Sequence, residues 1–276
     1  MKIQVFSDIH LEFLQKTKDT DYIKNQMPKI IPLAEYLFLL GDIGQLHIPS
    51  FKPFIDYCSS KWKYTFYILG NHEFYSNSKI HSKLPEDYIH FFGLYGNVIL
   101  LNDQSYDLEI GGFPIRIYGS TLWSNPRETT GLNDFNNIKM KNEKDWTVKI
   151  DREYFKNLHD DCTNNLIAAI KTANSENRKL IVATHFPPLR YGTSHPKFDN
   201  EDISRKSYFS NDFQLSYFCD LNISEKDFYK NILMWISGHT HYSYSFTHNN
   251  TRFISNQLGY PFENDSNFNR TGIFYL

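Results

Sequence analysis

The chain alternates short apolar runs with polar clusters, and the runs keep ending in the same kinds of residue. The run 3–6 leads into Ser7-Asp8-Ile9-His10, the run 36–40 into Gly41-Asp42, and the run 65–69 into Gly70-Asn71-His72-Glu73. Further on, 180–183 leads into Thr184-His185, and 234–236 into Ser237-Gly238-His239-Thr240-His241. Short runs rich in β-branched and aromatic residues, stopped by Gly, Asn or Asp, read as buried strands. Helices are expected between them at 50–60, 152–173, 204–219 and 225–231. A second group of strands, at 98–101, 106–110, 114–118, 242–247, 252–256 and 272–276, is hairpin-linked, for example around Asn249-Asn250. Strands alternating with helices, mixed with hairpins, indicate layered α/β architecture. The pattern predicts two stacked sheets with helices outside, in a single domain over 1–276.

Composition narrows the class without naming a chemistry. A hydrophobic share of 41% and a charged share of 22% over 276 residues are ordinary globular values. The aromatic share is high, with 23 Phe and 19 Tyr, and reads as core and surface rather than as stacking platforms. Net charge is -2, and no block of Lys or Arg forms the basic stripe that duplex nucleic acid demands, so no duplex nucleic acid partner is expected. No apolar run approaches the roughly 20 residues of a membrane helix, and a soluble, cytoplasmic protein with no membrane contact is expected. Cys58, Cys162 and Cys219 are scattered and form no CxxC, which suits reduced thiols rather than a disulfide framework or a cysteine zinc site.

The chemistry sits at the strand ends, where open α/β sheets collect ligands. Asp8 and His10 are two apart, as are His239 and His241, so on extended backbone each pair shares a face. Asp42 follows a glycine turn, where a carboxylate can bridge two cations. Asn71 offers a neutral hard oxygen, and His72 an imidazole fit for acid–base work. His185 closes a strand, and Gly238 is expected to let the chain turn tightly before its histidine pair. Taken singly, each is equally a cap, an Asx turn or a core histidine. Together they supply two carboxylates, one amide and four imidazoles without thiolate, a set suited to manganese, iron or zinc. Seven ligands with one bridging carboxylate are too many for one tetrahedral ion and suit a pair.

The succession Asp8-x-His10, Gly41-Asp42, Gly70-Asn71-His72-Glu73, His185 and Gly238-His239-x-His241 resembles the calcineurin-like metallophosphoesterases, from residue 3 to about 261. The segments 119–124, 132–139 and 255–261 are similar to a microbial branch whose members carry the label serine/threonine phosphatase. The resemblance implies a four-layered αββα sandwich, two mixed β-sheets flanked by helices, with a centre of two divalent or trivalent metal ions. Carried over, Asp8, His10, Asp42 and His241 hold one metal. Asp42, Asn71, His185 and His239 hold the other, and His72 is the catalytic histidine beside them. Such a centre hydrolyses phosphate mono- or diesters by in-line attack of a metal-bridging hydroxide, with Asp42 and Asn71 holding the ions and His72 assisting the leaving group.

One departure bears on substrate. Protein phosphatases of the classical branch continue Gly-Asp with Asp-Arg-Gly, whereas this chain reads Gly41-Asp42-Ile43-Gly44-Gln45, which argues against that activity. A small-molecule or protein phosphoester remains the expected substrate. The loops 74–96, with Tyr75, and 186–212, with Arg190, Arg205 and Tyr208, are expected to shape its pocket, and 139–151 to form a charged surface loop or lid. The same core also serves nucleotide pyrophosphohydrolases and nucleases. A non-catalytic metal-binding interaction module is the remaining alternative.

Overall fold

The computed structural model describes residues 2–14, 30–76, 79–110, 112–125, 132–198, 211, 223–263 and 267–276. The expected helix at 204–219, with Arg205, Tyr208 and Cys219, lies outside them except for Asn211. The strands are β1 (Lys2–Phe6), β2 (Tyr36–Leu40), β3 (Tyr64–Ile68), β4 (Val98–Leu100), β5 (Gln104–Ile110), β6 (Phe113–Ser120) and β7 (Lys139–Lys141). They continue with β8 (Thr147–Lys149), β9 (Lys179–Thr184), β10 (Ile232–Ile236), β11 (Ser245–His248), β12 (Thr251–Ile254) and β13 (Ile273–Tyr275). The helices are α1 (Phe51–Lys61), α2 (Leu84–Phe92), α3 (Asp134–Asn137), α4 (Arg152–Ser175) and α5 (Glu225–Tyr229).

Two large mixed sheets form, in the orders β13-β1-β2-β3-β4 and β11-β12-β10-β9-β6-β5. In the first, β1 to β4 run parallel and β13 is antiparallel. In the second, β6, β9, β10 and β12 run parallel, and the hairpin partners β5 and β11 are antiparallel. The pleat assigns the two faces of each strand. Ile3, Val5, Phe38, Leu40, Phe66 and Ile68 meet Ile117, Ile181, Ala183, Met234 and Ile236 in a core between the sheets. The alternate residues Phe6, Leu37, Leu39 and Tyr67, or Val182 and Trp235, face outward into a second core shared with the helices. Sheets buried on both faces explain why β1, β2 and β10 read as nearly unbroken apolar runs.

Helices cover both outer faces: α1 packs on β3 and α2 on β4, while α4 packs on β6 and β9. This is the αββα arrangement that the resemblance implies. The long helix α4 starts where Asp151 caps it by accepting a bond from the Tyr154 N–H at 2.8 Å. It turns Phe155, His159, Cys162, Leu166, Ile170 and Ala173 inward at three- and four-residue spacing. Trp235, fully buried, donates its indole N–H to Thr184 Oγ1 at 3.0 Å and so ties β10 to β9.

Two sequence expectations need correction. The stretch 74–96 is no open loop, because Leu84, Tyr88 and Phe92 repeat at helical spacing and bury one face of α2 behind Pro85. The stretch 139–151, expected as a charged surface loop or lid, forms a small hairpin, β7 paired with β8. Both misreadings come from weighting polar content over period.

His81 packs at 4.3 Å on Phe74 and at 5.6 Å on Trp123, and its buried Nε2 finds no hydrogen-bond partner among the described residues. Burial pushes its pKa down to about 3. The unfolded chain therefore binds the proton first, so this contribution is complete above the ordinary histidine value and is lost as pH falls from about 6.5 toward 3. Urea denaturation across that window should show His81→Leu losing less stability with falling pH than the parent. The two curves should separate by up to about 1.4 kcal/mol per pH unit.

Candidate functional site

The carboxyl ends of β1, β2, β3, β9 and β10 deliver their polar clusters to one place, but the strand pleat does not aim them. β1 ends at Phe6 and β10 at Ile236, ahead of the residues in question. Asp8, His10, Asp42, His239 and His241 all have left-handed backbone, with φ of 54°, 50°, 52°, 74° and 54°. Convergence thus comes from tight left-handed turns, not from the extended spacing the sequence suggested. Asp and His tolerate this region better than most residues, but each instance costs on the order of 1–3 kcal/mol and such strain gathers at functional sites. Gly238 is needed for space rather than for turning: a Cβ there would collide with Ser7 Oγ and stand 2.8 Å from Asp8 Oδ2.

Glu73 holds the two central loops together. Its buried carboxylate accepts from the N–H groups of Asp42 and Ile43 at 2.9 Å, of Gly70 at 2.8 Å, and from Tyr67 Oη at 2.8 Å. Burial raises its pKa, and these bonds work against that rise. The sequence places Glu73 in the motif without showing this clamp. With the loops fixed, the His72 N–H donates to Asp42 Oδ1 at 2.9 Å.

Around the centre, four of the ligand candidates, three imidazoles and the amide, have an outer nitrogen tied to an acceptor. His185 Nδ1 donates to the Leu40 carbonyl at 2.8 Å, His10 Nδ1 to Glu12 at 2.7 Å, and His241 Nδ1 to Glu263 at 2.5 Å. Asn71 Nδ2 donates to Asp134 at 2.9 Å and to Tyr75 Oη at 3.1 Å, and Tyr75 Oη donates to Asp134 at 2.6 Å. The inner atoms are therefore acceptors facing acceptors. His185 Nε2 lies 2.9 Å from Asn71 Oδ1 and 3.5 Å from Asp42 Oδ1. His10 Nε2 lies 3.1 Å from His241 Nε2, which is 3.4 Å from Asp8 Oδ1.

Such pairs need a positive charge between them, a proton or a metal ion. Burial lowers the His185 pKa to about 4, so a proton does not serve there at neutral pH. Burial likewise lowers His10 and His239. His241 goes the other way: burial opposes its charge, but hydrogen bonds and the charges of Asp8 and Glu263 lift it to about 9. Asp8 is held well below the carboxylate range, because His241, His185 and His10 outweigh its burial. Asp42 is raised well above that range by burial and by the like charges of Glu73 and Asp8. The donor set fits metal ions. Ligand atoms lie within 4.8 Å of one another in the triads Asp8-His10-His241, Asp8-Asp42-His185 and His10-Asp42-His72.

Among the described residues, His239 enters none of those triads. Its N–H donates to Asp8 Oδ2 at 3.0 Å, and its ring sits 3.9 Å from Phe186 and 5.1 Å from His185. His72 has its Nε2 3.9 Å from Asp42 Oδ2 and 3.1 Å from Tyr260 Oη, with Tyr75 packed on its ring at 4.3 Å. Tyr75 thus supports Asn71 and His72 at once. Arg190 lies over the Tyr191 ring at 5.7 Å, and among the described residues no hydrogen bond or ion pair joins it to the centre. A cleft of about 470 Å³ opens next to Tyr75, with Gln45, His47, Glu73, Lys79 and Asn137 also in its walls.

Several contributors escaped the sequence reading. Asp134 and Tyr260 fall in the segments 132–139 and 255–261, which carry similarity without a stated role. Gln257 does too: its Oε1 accepts the His241 N–H at 2.5 Å, while its Nε2 donates to the Tyr242 carbonyl at 2.9 Å. Glu12 leaves no signal beyond being an acidic residue near His10 in the chain, and Glu263, 22 positions from His241, leaves none.

Fold and site together define a two-sheet α/β sandwich with a buried carboxylate–imidazole centre at its strand ends. The chain belongs to the calcineurin-like phosphoesterase family, whose profile matches residues 1–243. It is 29% identical over 279 residues to an uncharacterised protein of Acanthamoeba polyphaga mimivirus, covering 97% of this chain and 94% of that one. The fold is similar to phosphopantetheinyl hydrolase from Mycobacterium tuberculosis, with a TM-score of 0.63 at 16% identity, over 94% of this chain and 90% of the other. The family implies a dinuclear metal centre, and candidate ligands for it stand grouped here. No helix among the described residues is long and apolar enough to cross a membrane.

Asp134 orients Asn71 from behind, and partners of this kind change metal affinity by about 10–100-fold. Chelator competition on Asp134→Ala should show weaker metal binding in that range. Unchanged affinity would remove Asp134 from the support of the centre.

Proposed function

We propose that this chain is a metal-dependent phosphoesterase that hydrolyses small-molecule phosphate mono- or diesters. The observation that carries the reading is the convergence of acceptor atoms from Asp8, His10, Asp42, Asn71, His185 and His241 on one buried space, with His72 beside Asp42 at its edge. Bound there, a metal pair polarises phosphoryl oxygens and lowers the pKa of water. Manganese, iron or zinc suits the mixed nitrogen and oxygen donors.

The chain's own residues do the rest. Asp8, His10 and His241 hold one side of the centre, Asn71 and His185 the other, and Asp42 stands between them, with His239 steadying Asp8 through its N–H. His72 holds a proton at Nε2 for the departing oxygen, and its ring is fixed by Tyr75 on one face and by the Glu12 carboxylate at Nδ1, 3.1 Å away. The leaving group occupies the cleft beside Tyr75, whose volume falls in the range of small-ligand sites. Arg190 and Tyr75 are the residues proposed to meet the substrate beyond its phosphate.

Metal analysis of protein purified without chelator, coupled to hydrolysis of aryl phosphate monoesters and diesters, tests this reading. Turnover should be chelator-sensitive, and Asp42→Asn should abolish it. His72→Ala should keep its metal and lose about 10²–10⁴-fold in kcat on an alkyl phosphate ester, whose leaving oxygen needs the proton. Full activity in the metal-free protein, or a loaded protein inert toward every phosphoester, would sink it.

A further inference from the structure

Glu12 lies in the 3-10 turn Leu11–Leu14, just past His10, and one of its oxygens serves two imidazoles. Oε1 is 2.7 Å from His10 Nδ1 and 3.1 Å from His72 Nδ1. An ionised carboxylate only accepts, so both rings present Nδ1–H to it. Each ring then turns Nε2 inward, and both nitrogens stand 3.9 Å from the same Asp42 oxygen, Oδ2. The two rings also pack edge to face with centroids 4.6 Å apart. The second oxygen of Glu12, Oε2, is buried with no hydrogen-bond partner among the described residues. A buried unpaired carboxylate oxygen is costly, and a native structure that keeps one calls for an explanation. The double contact through Oε1 supplies it.

We propose that Glu12 is a positioning residue shared by the two halves of the chemistry. It fixes His10 as an Nε2 donor for the centre and holds His72 with its Nε2 proton aimed at the leaving oxygen. The site is thereby built for phosphoesters whose leaving group must take up a proton, that is, unactivated alkyl esters more than aryl esters. This rests on His72 acting as the proton donor. In the step, a water oxygen bonds to phosphorus as the bond from phosphorus to the leaving oxygen breaks. The electron pair of that bond stays with the leaving oxygen, which takes the His72 Nε2 proton. The proton lost by the attacking water passes to solvent, and Nε2 is reprotonated from solvent. His72 keeps Nδ1–H on Glu12 throughout, so the neutral and the charged ring occupy one position.

Glu12→Gln tests this, because an amide of the same shape cannot accept both N–H groups through a charged oxygen. With 4-nitrophenyl phosphate and butyl phosphate as substrates, the variant is assayed at saturating metal, because losing the charged partner of His10 should weaken metal binding by about 10–100-fold. It should lose about 10²-fold in kcat on the butyl ester and less than about 10-fold on the nitrophenyl ester. Equal losses on both esters, with or without loss of metal, would overturn the proposal. His72→Ala measured alongside separates the two claims. If it shows no leaving-group dependence, the reading of His72 falls; if it does and Glu12→Gln does not, Glu12 alone falls. Nitrogen-15 spectra of histidine-labelled, metal-loaded wild-type protein need no variant and no turnover: Nδ1 of His10 and of His72 should each carry a proton, and a bare Nδ1 on His72 would overturn the assignment.

Discussion

Ring and amide atoms that face one another at 2.9–3.1 Å and can be bridged only by a positive charge, a proton or a metal ion, are the constraint on which this structure turns. Lone pairs do not assemble in a buried space unprompted, because each pair repels and each group has given up water. They are held there from outside. Leu40, Glu12, Glu263 and Asp134 each take a hydrogen from the far side of an imidazole or amide, which leaves that group only an acceptor to show the interior. The centre is thus specified twice, by its inner atoms and by the ring of acceptors behind them. The second layer also decides how the frustration is relieved. Where two carboxylates flank the imidazole, at His241, its pKa rises to about 9; where a carbonyl does, at His185, burial takes it down to about 4. Cations satisfy both ends alike.

Holding that arrangement takes a rigid base. Five ligand candidates sit in left-handed turns, and the strain is sustained because the strands beneath them are pinned on both faces. Inner faces of the sheets bury against each other and outer faces against helices, so the strand ends cannot shift independently. Cross-links at the rim finish the job. Glu73 joins the β2 and β3 loops, the Gly238 N–H donates to the His185 carbonyl at 2.9 Å, and the Gly259 N–H donates to the Asp8 carbonyl at 3.0 Å.

The parts of this design legible in the sequence are those written in local patterns. Apolar runs located β1, β2, β3, β9 and β10 within a residue or two, and the polar clusters behind them contained every atom of the three ligand triads. What stayed hidden depends on tertiary distance or on backbone sign. Left-handed φ at Asp8 or His241 has no signature when the residue is not glycine. Asp134 reaches Asn71 across 63 positions of chain, and nothing local in Asn-Asp-Phe announces that it is buried. Helix α2 was hidden because Pro85, Glu86 and Asp87 at its start read as a turn, and its buried stripe is only Leu84, Tyr88 and Phe92.

His72 shows how such hidden contacts turn a motif into a tool. Its ring lies against Tyr75 at 4.3 Å and against His10 at 4.6 Å, and Tyr260 Oη meets its Nε2 at 3.1 Å. Aromatic walls set the plane of the imidazole, and a carboxylate at Nδ1 sets its rotation within that plane. Neither alone would do, because packing leaves the ring free to flip and a single hydrogen bond leaves it free to tilt. Together they hold Nε2 in one direction before any substrate arrives, which is where a fixed proton donor gains over one in solution. Tyr260 satisfies that nitrogen with a hydroxyl, a group that a leaving oxygen resembles. The same position that is hydrogen-bonded at rest is therefore shaped, in distance and in polarity, for the oxygen that must receive the proton.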